Sequence, residues 1–147
     1  MTRILFVCHG NICRSPMAEF CMKDLVRAAG RERDFEIASA ATSREEIGNP
    51  VYPPARRMLA AHGISCAGKT ARQIVPGDYA YYDLIVGMDE ENMRALRRAF
   101  GGDPDGKIVK LLARDVADPW YTGDFGVAWR DIDEGCRALF EKIARRA

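Results

Sequence analysis

Residues 7–16 read V-C-H-G-N-I-C-R-S-P, and this stretch admits few folds. Ile4, Leu5, Phe6 and Val7 lead straight into Cys8, and Arg14 follows six positions later. Ser15-Pro16 then has the form of a helix start, a capping hydroxyl followed by a ring that pre-sets the first helical φ. An unbroken apolar run of this kind is typical of a strand buried on both faces. Strand, tight loop and helix make the first half of a β-α-β unit. The loop between them suits an anion, because successive backbone N–H groups turn inward and the helix N-terminus adds partial positive charge.

The residues inside the frame fit a phosphate in particular. Gly10 lets the backbone turn back without a Cβ clash. Asn11 tolerates a left-handed conformation and can tie the loop with its amide. Arg14 offers a planar fork to two oxygens at once, which lysine does not. The same field favours an anion at Cys8, so the spacing points to a thiolate that attacks phosphorus, with the Ser15 hydroxyl bonded to the sulfur. The plain alternative is a structural cysteine at a strand end. Cys-x5-Arg alone is only moderately specific, and the surrounding strand, Gly, Asn and Ser-Pro carry the chemical reading. Zinc fits poorly, since Cys8 and Cys13 lack the usual spacing and no histidine pair follows.

The rest of the chain supplies a platform. Met17, Phe20, Cys21, Leu25 and Ala28 recur at helical spacing before Gly30. A second strand is expected over 35–39, a long surface loop over 40–54 and a helix over 54–62 with Met58 and Leu59 inward. Residues 64–79 stay ambiguous, with 71–74 extended and 76–78 a turn. A third buried strand covers 83–88, and Asp89 caps a helix that buries Met93, Leu96 and Phe100. After the turn at 103–106 a fourth strand runs over 107–112, and a loop carries Asp118-Pro119-Trp120-Tyr121. Phe125, Trp129, Ile132, Cys136, Leu139 and Ile143 mark a final amphipathic helix. Strands alternating with helices argue for one doubly wound α/β domain over residues 1–147, with a parallel sheet covered on both faces.

Composition narrows the partners. Lys plus Arg total 22 against 21 Asp plus Glu, a net charge of +1, so nothing in bulk charge points to nucleic acid or a membrane surface. The apolar run at 4–8 is too short for a signal peptide or a membrane span. Five cysteines without disulfide spacing suit a reducing cytosol, so a cytoplasmic protein is expected, with signal-less export left open. No oligomer interface is legible; a monomer is expected, with weak self-association as the alternative.

C-H-G-N-I-C-R-S-P resembles the signature loop of low-molecular-weight protein tyrosine phosphatases. The likeness extends over the chain through S-A-A-T-S at 39–43, I-G-N-P at 47–50, H-G-I-S at 62–65, A-R-Q-I at 71–74, M-D-E at 88–90 and D-P-W-Y at 118–121. It implies a three-layer α/β/α fold with a four-stranded parallel sheet, no metal or other cofactor, phosphotyrosine-containing protein substrates and a phosphocysteine intermediate. Within it Cys8 is the nucleophile and Arg14 binds the phosphate and transition state. Asp118 is the general acid that protonates the leaving oxygen, an effect worth about 10²–10⁴-fold. His9, Gly10, Asn11, Ile12, Cys13 and Ser15 complete the phosphate-binding loop, and Trp120 and Tyr121 wall the cleft. Ser39 matches a serine that buttresses the loop asparagine, although a strand-end serine is an equal alternative. Cys13 matches a second cysteine that forms a reversible disulfide with the nucleophile, against the alternative of a packed thiol.

Some positions depart from relatives. Mammalian members carry Trp or Tyr where Glu45 aligns, which would disfavour acidic peptides if Glu45 faces the cleft. Lys69 stands where some members place a buttressing histidine. His9 is read as pointing outward, His62 as a cap for carbonyls, and Cys21, Cys66 and Cys136 as core or surface thiols. Tyr121, if phosphorylated by a kinase, would tune activity. Thiol arsenate reductases share the loop but need two further relay cysteines, and Cys66 has no near partner. Arginine-phosphate phosphatases carry threonine at the position of Ile12, which favours tyrosine here. A phosphocysteine carrier or a phosphate-sensing domain remains the non-enzymatic rival, and Arg14 together with Asp118 argues for turnover.

Overall fold

The computed structural model describes residues 1–146. Strand β1 (Thr2–Cys8) leads through the loop into helix α1 (Arg14–Ala28), and a short 3-10 turn (Glu32–Asp34) precedes β2 (Phe35–Ala41). Helix α2 (Pro53–Ala61) and a single turn, α3 (Asp78–Tyr81), come before β3 (Leu84–Gly87). Then follow α4 (Glu90–Phe100), β4 (Ile108–Lys110), another single turn, α5 (Pro119–Thr122), and the long α6 (Phe125–Ala144). The four strands form one sheet in the order β2-β1-β3-β4. All pairings are parallel, Cys8 lying beside Ala41 and Val7 beside Gly87.

Alternation along β1 makes the three layers. Ile4, Phe6 and Cys8 face a core built with Met17, Cys21 and Met22 of α1, Leu59 of α2, and Ile132 and Cys136 of α6. Leu5 and Val7 face the other side, against Met93 and Leu96 of α4, Tyr82, Ile85 and Ile108. Because β1 is buried on both faces, its unbroken apolar run is required rather than incidental. The chain turns to one face after β1 and the other after β3, so a crevice opens at the carboxyl ends of these two strands. Among the described residues no helix is long and apolar enough to cross a membrane.

Several boundaries differ from the sequence expectation. Helix α1 starts at Arg14, not after a Ser15 cap; Cys13 is its N-cap residue and no side chain caps it. Ser15 is fully buried and its hydroxyl is engaged inside the loop, which outweighs the local Ser-Pro rule. On α1 the buried stripe runs through Met22 and Val26, and Ala28 is exposed. Strand β4 is shorter than 107–112, because residues 111–116 leave it to cross the end of β3, through Leu111 N–H to Gly87 O and Val116 N–H to Met88 O, both 2.9 Å. The expected loop at 118–121 holds α5, a turn too short to show a period, with Asp118 as its N-cap. Asp89 caps α4 as expected, accepting from Asn92 N–H at 2.7 Å.

Candidate active site

The loop after β1 closes around the sulfur of Cys8. The backbone N–H groups of Asn11 and Ser15 both aim at Sγ from 3.4 Å, and the Ser15 hydroxyl lies 3.1 Å from it. Asn11 is the one non-glycine residue with positive φ among the described residues, at 60°. That conformation is costly for a side chain with Cβ, and polar contacts from several elements hold it. Asn11 Nδ2 donates to Ser15 Oγ at 2.7 Å and to Ser39 Oγ at 2.9 Å, while Oδ1 accepts from Arg72 N–H at 3.2 Å. Since Ser15 Oγ accepts from Asn11, its own hydrogen is free to point at Cys8.

The hydrogen bonds continue outward from Ser39. Ser39 donates to Glu19 Oε1 at 2.6 Å, and the other Glu19 oxygen accepts from Lys23 at 2.6 Å. Lys69 Nζ donates to Ser39 O at 2.8 Å and stands 3.5 Å from Glu19 Oε1. Lys69 thus reaches the same network as a charged donor. Burial lowers the affinity of its amine for a proton, and Glu19 pulls the other way.

Arg14 gathers the far elements. Nη1 donates to Asp89 Oδ2 at 2.6 Å and to Val116 O at 2.9 Å, and Nη2 to Asp118 Oδ2 at 3.3 Å. Burial disfavours its charge, but the negative charge of Cys8, the hydrogen bond to Asp89 and the charges of Asp118 and Asp89 more than offset this and raise its pKa. Asp118 uses its second oxygen to accept from Trp120 N–H at 3.1 Å, so one carboxylate both starts α5 and faces Arg14. Asp89 does the same for α4. Its cap role is legible in the sequence after a strand end, while its contact with Arg14 has no local signal.

Cys8, Arg14 and Asp118 line a cleft of about 110 Å³ with His9, Gly10, Ile12, Cys13, Glu45, Glu46, Trp120 and Tyr121. Asn11, Ser15 and Ser39 stand behind the lining, as supports. His9 is at the mouth rather than simply outward, with Nε2 at 2.9 Å from Glu45 Oε2. Glu46 also borders the cleft, and its stem packs 3.4 Å from where a Cβ on Gly10 would be. Trp120 leans on Tyr52 with ring centroids 4.8 Å apart, and Tyr121 is almost free in solvent. Burial, then the charges of Cys8 and Asp118, pushes the Cys13 thiol up to about 12, against the pull of Arg14. His62 stacks on Trp129 of α6, far from the cleft. Among the described residues no three His, Cys, Asp or Glu side chains converge to hold a metal ion.

The profile of the low molecular weight phosphotyrosine protein phosphatase family matches residues 3–147. The low molecular weight protein-tyrosine-phosphatase YfkJ of Bacillus subtilis (strain 168) is 39% identical over 152 residues, spanning 99% of this chain and 97% of that protein. The Homo sapiens low molecular weight phosphotyrosine protein phosphatase is 38% identical over 149 residues, 95% of this chain and 94% of that protein. The crystal structure of YfkJ superposes with a TM-score of 0.97 over 99% of this chain and 96% of that one, at 38% identity. A Drosophila arginine phosphatase structure superposes at 0.87 with 28% identity, over 97% and 98% of the two chains.

Proposed function

The chain belongs to the low molecular weight phosphotyrosine protein phosphatase family, and from that premise we propose that this phosphatase works through Cys8, Arg14 and Asp118. The phosphate oxygens are held by the backbone N–H groups of the loop and by Arg14. The Cys8 thiolate attacks phosphorus, an S–P bond forms, and the ester P–O bond breaks. Asp118, as the carboxylic acid, gives its proton to the departing oxygen. The resulting Asp118 carboxylate then takes a proton from water as that water attacks the phosphocysteine. The S–P bond breaks, inorganic phosphate leaves, and the Ser15 hydroxyl stabilises the returning thiolate. The observation that supports this most is the contact of Arg14 with Asp118, which sets that carboxylate beside the loop whose N–H groups surround Cys8.

Phosphotyrosine is the substrate that fits. Ile12, Trp120 and Tyr121 offer apolar and aromatic area to a phenyl ring at the cleft. Cys13 stands by as a protecting thiol. If peroxide oxidises Cys8 to a sulfenic acid, Cys13 displaces water from it to form a disulfide that a cellular thiol can reduce.

The test is hydrolysis of phosphotyrosine, phosphoarginine and p-nitrophenyl phosphate by wild type, Cys8→Ser and Asp118→Asn. Wild type is expected to turn over both aryl esters many times and phosphoarginine poorly. Cys8→Ser is expected to be inactive. Asp118→Asn should be slowed about 10²–10⁴-fold on phosphotyrosine and less on the activated nitrophenyl ester. Multiple turnovers by Cys8→Ser would break the mechanism. One equivalent released by wild type and then nothing would mark a phosphoryl carrier instead.

A further inference from the structure

Residues 69–74 form a strap along the free edge of β2. Gln73 bridges Ala41 in parallel and Thr70 bridges Pro50 in antiparallel fashion. Ala41 N–H donates to Arg72 O at 2.7 Å and Ile74 N–H to Ala41 O at 2.9 Å, so the strap extends the sheet. Ala71 exchanges backbone bonds with the cleft-wall loop, from Gly48 N–H at 2.9 Å and to Asn49 O at 2.8 Å. The same strap carries the Arg72 N–H that holds Asn11 Oδ1. Sheet edge, cleft wall and phosphate loop therefore meet on six residues.

The side chain of Arg72 is not part of the cleft. Its guanidinium grips Asp78 with both ends, Nη1 to Oδ2 at 3.0 Å and Nη2 to Oδ1 at 3.1 Å, and also donates to Gln73 O at 3.2 Å. Asp78 is buried and accepts in addition from Val75 N–H at 2.8 Å. This fork ties both ends of the stretch 72–78 together, and lysine has no geometry that would replace it.

We propose that Arg72 and Asp78 are positioning residues for the phosphate loop, acting through Asn11. The proposal rests on the reading of that loop as the phosphate site. The Asn11 amide has a donor end and an acceptor end, and its flip decides which end meets Ser15. The Arg72 N–H is the donor that marks Oδ1. With it in place both Nδ2 hydrogens go to Ser15 and Ser39, and the Ser15 hydroxyl is left to face Cys8. With the strap loosened, the amide loses that distinction, Asn11 loses a support for its left-handed backbone, and the N–H groups aimed at the phosphate spread apart.

A double-mutant cycle tests this. Arg72→Ala and Asp78→Asn are made in wild type and in Asn11→Ala, reading kcat and KM on p-nitrophenyl phosphate and binding of inorganic phosphate by calorimetry. In the Asn11 background each change is expected to weaken phosphate binding and lower kcat/KM by about 10-fold, within the range that coupled neighbours show. In the Asn11→Ala background the same change should cost less than about 2-fold. An equal factor in both backgrounds overturns the proposal, because a role confined to folding would be additive. Arg72→Lys should behave like Arg72→Ala, and wild-type binding by it overturns the role of the fork. If Arg72→Ala does not fold, Asp78→Asn carries the cycle alone. Amide exchange at Arg72, measured by NMR, should quicken in Asn11→Ala; an unchanged rate also overturns it. No turnover by wild type would sink the phosphatase reading, and the calorimetric cycle would still decide this one.

Discussion

Just beneath the floor of the cleft Asn11 is 1% exposed and its side chain is tied by hydrogen bonds to three other residues, whereas at the rim Trp120 is 51% and Tyr121 82% exposed. The difference separates two jobs. A buried polar group left without its partner costs about 1–3 kcal/mol, so the floor tolerates little change and holds one geometry. A solvent-facing ring contributes only when something packs on it, so the rim can vary without disturbing the floor. Under the proposed mechanism chemistry belongs to the first region and choice of substrate to the second. Asp118 belongs to both, capping a rim turn with one oxygen and meeting Arg14 with the other.

The largest effect that would sharpen this contrast is at Arg14. Its fork meets Asp89, Val116 O and Asp118 at once, and lysine can hold only a point charge there. Arg14→Lys is expected to lower kcat/KM for an aryl phosphate by about 10²–10³-fold, as loss of a preorganised oxyanion donor does. A loss of less than about 5-fold would place the floor and rim on the same footing.

Behind the floor, Ser39→Ala removes an acceptor from Asn11 and a donor from Glu19 in one step. The urea midpoint should fall by an amount equivalent to about 1–3 kcal/mol. An unchanged midpoint would show that the hydrogen-bonded chain from Lys69 to Ser15 supports nothing.

Cys13 gives a pH signature to the floor. Its thiol is pushed up to about 12 from an ordinary 9.0, so the folded protein keeps that proton longer than the unfolded chain. Its contribution to stability is therefore complete below about pH 9 and is lost as pH rises from there towards 12. Cys13→Ser should flatten the alkaline limb of the stability curve, measured by thermal melts from pH 8 to 11. The same variant, treated with peroxide and then a thiol reductant, should regain much less activity than wild type, and equal recovery would remove the protective role.

The smallest effect belongs to the rim. Tyr121→Ala should raise KM for a phosphotyrosine peptide a few-fold, matching the roughly 0.5–1.5 kcal/mol of a stacked ring, and should move inhibition by inorganic phosphate less. A larger change in phosphate inhibition than in peptide KM would reverse the assignment of floor and rim.

Where the sequence was misleading, a local rule lost to a contact from elsewhere. Ser15-Pro16 has the form of a cap, yet the Ser15 hydroxyl is taken by Asn11 and Cys8 and the helix begins earlier. D-P-W-Y reads as loop because a four-residue turn has no periodicity to detect. Glu19 attracts no notice in the sequence, since a charged residue on a helix is ordinarily solvated; it is buried here because Ser39 and Lys23 donate to it and the part-buried Lys69 stands 3.5 Å away.

The sequence by itself determined the form of the loop after β1, because its parts lie within eight residues and its turn depends on the left-handed Asn11 and the flanking strand and helix; Gly10 takes no positive φ and a Cβ there would meet only ordinary contacts. It also determined the layered architecture, because unbroken apolar runs mark strands buried on both faces and 3.6-residue spacing marks the buried face of a helix. Only the tertiary structure decided which elements meet. Arg14 finds its partners 75, 102 and 104 residues away. Their apolar runs state that β1 and β3 are buried but not that they are neighbours. The order β2-β1-β3-β4 is set by packing helices on both faces of the sheet, and it is this order that brings Asp89, Val116 and Asp118 to the mouth of the loop.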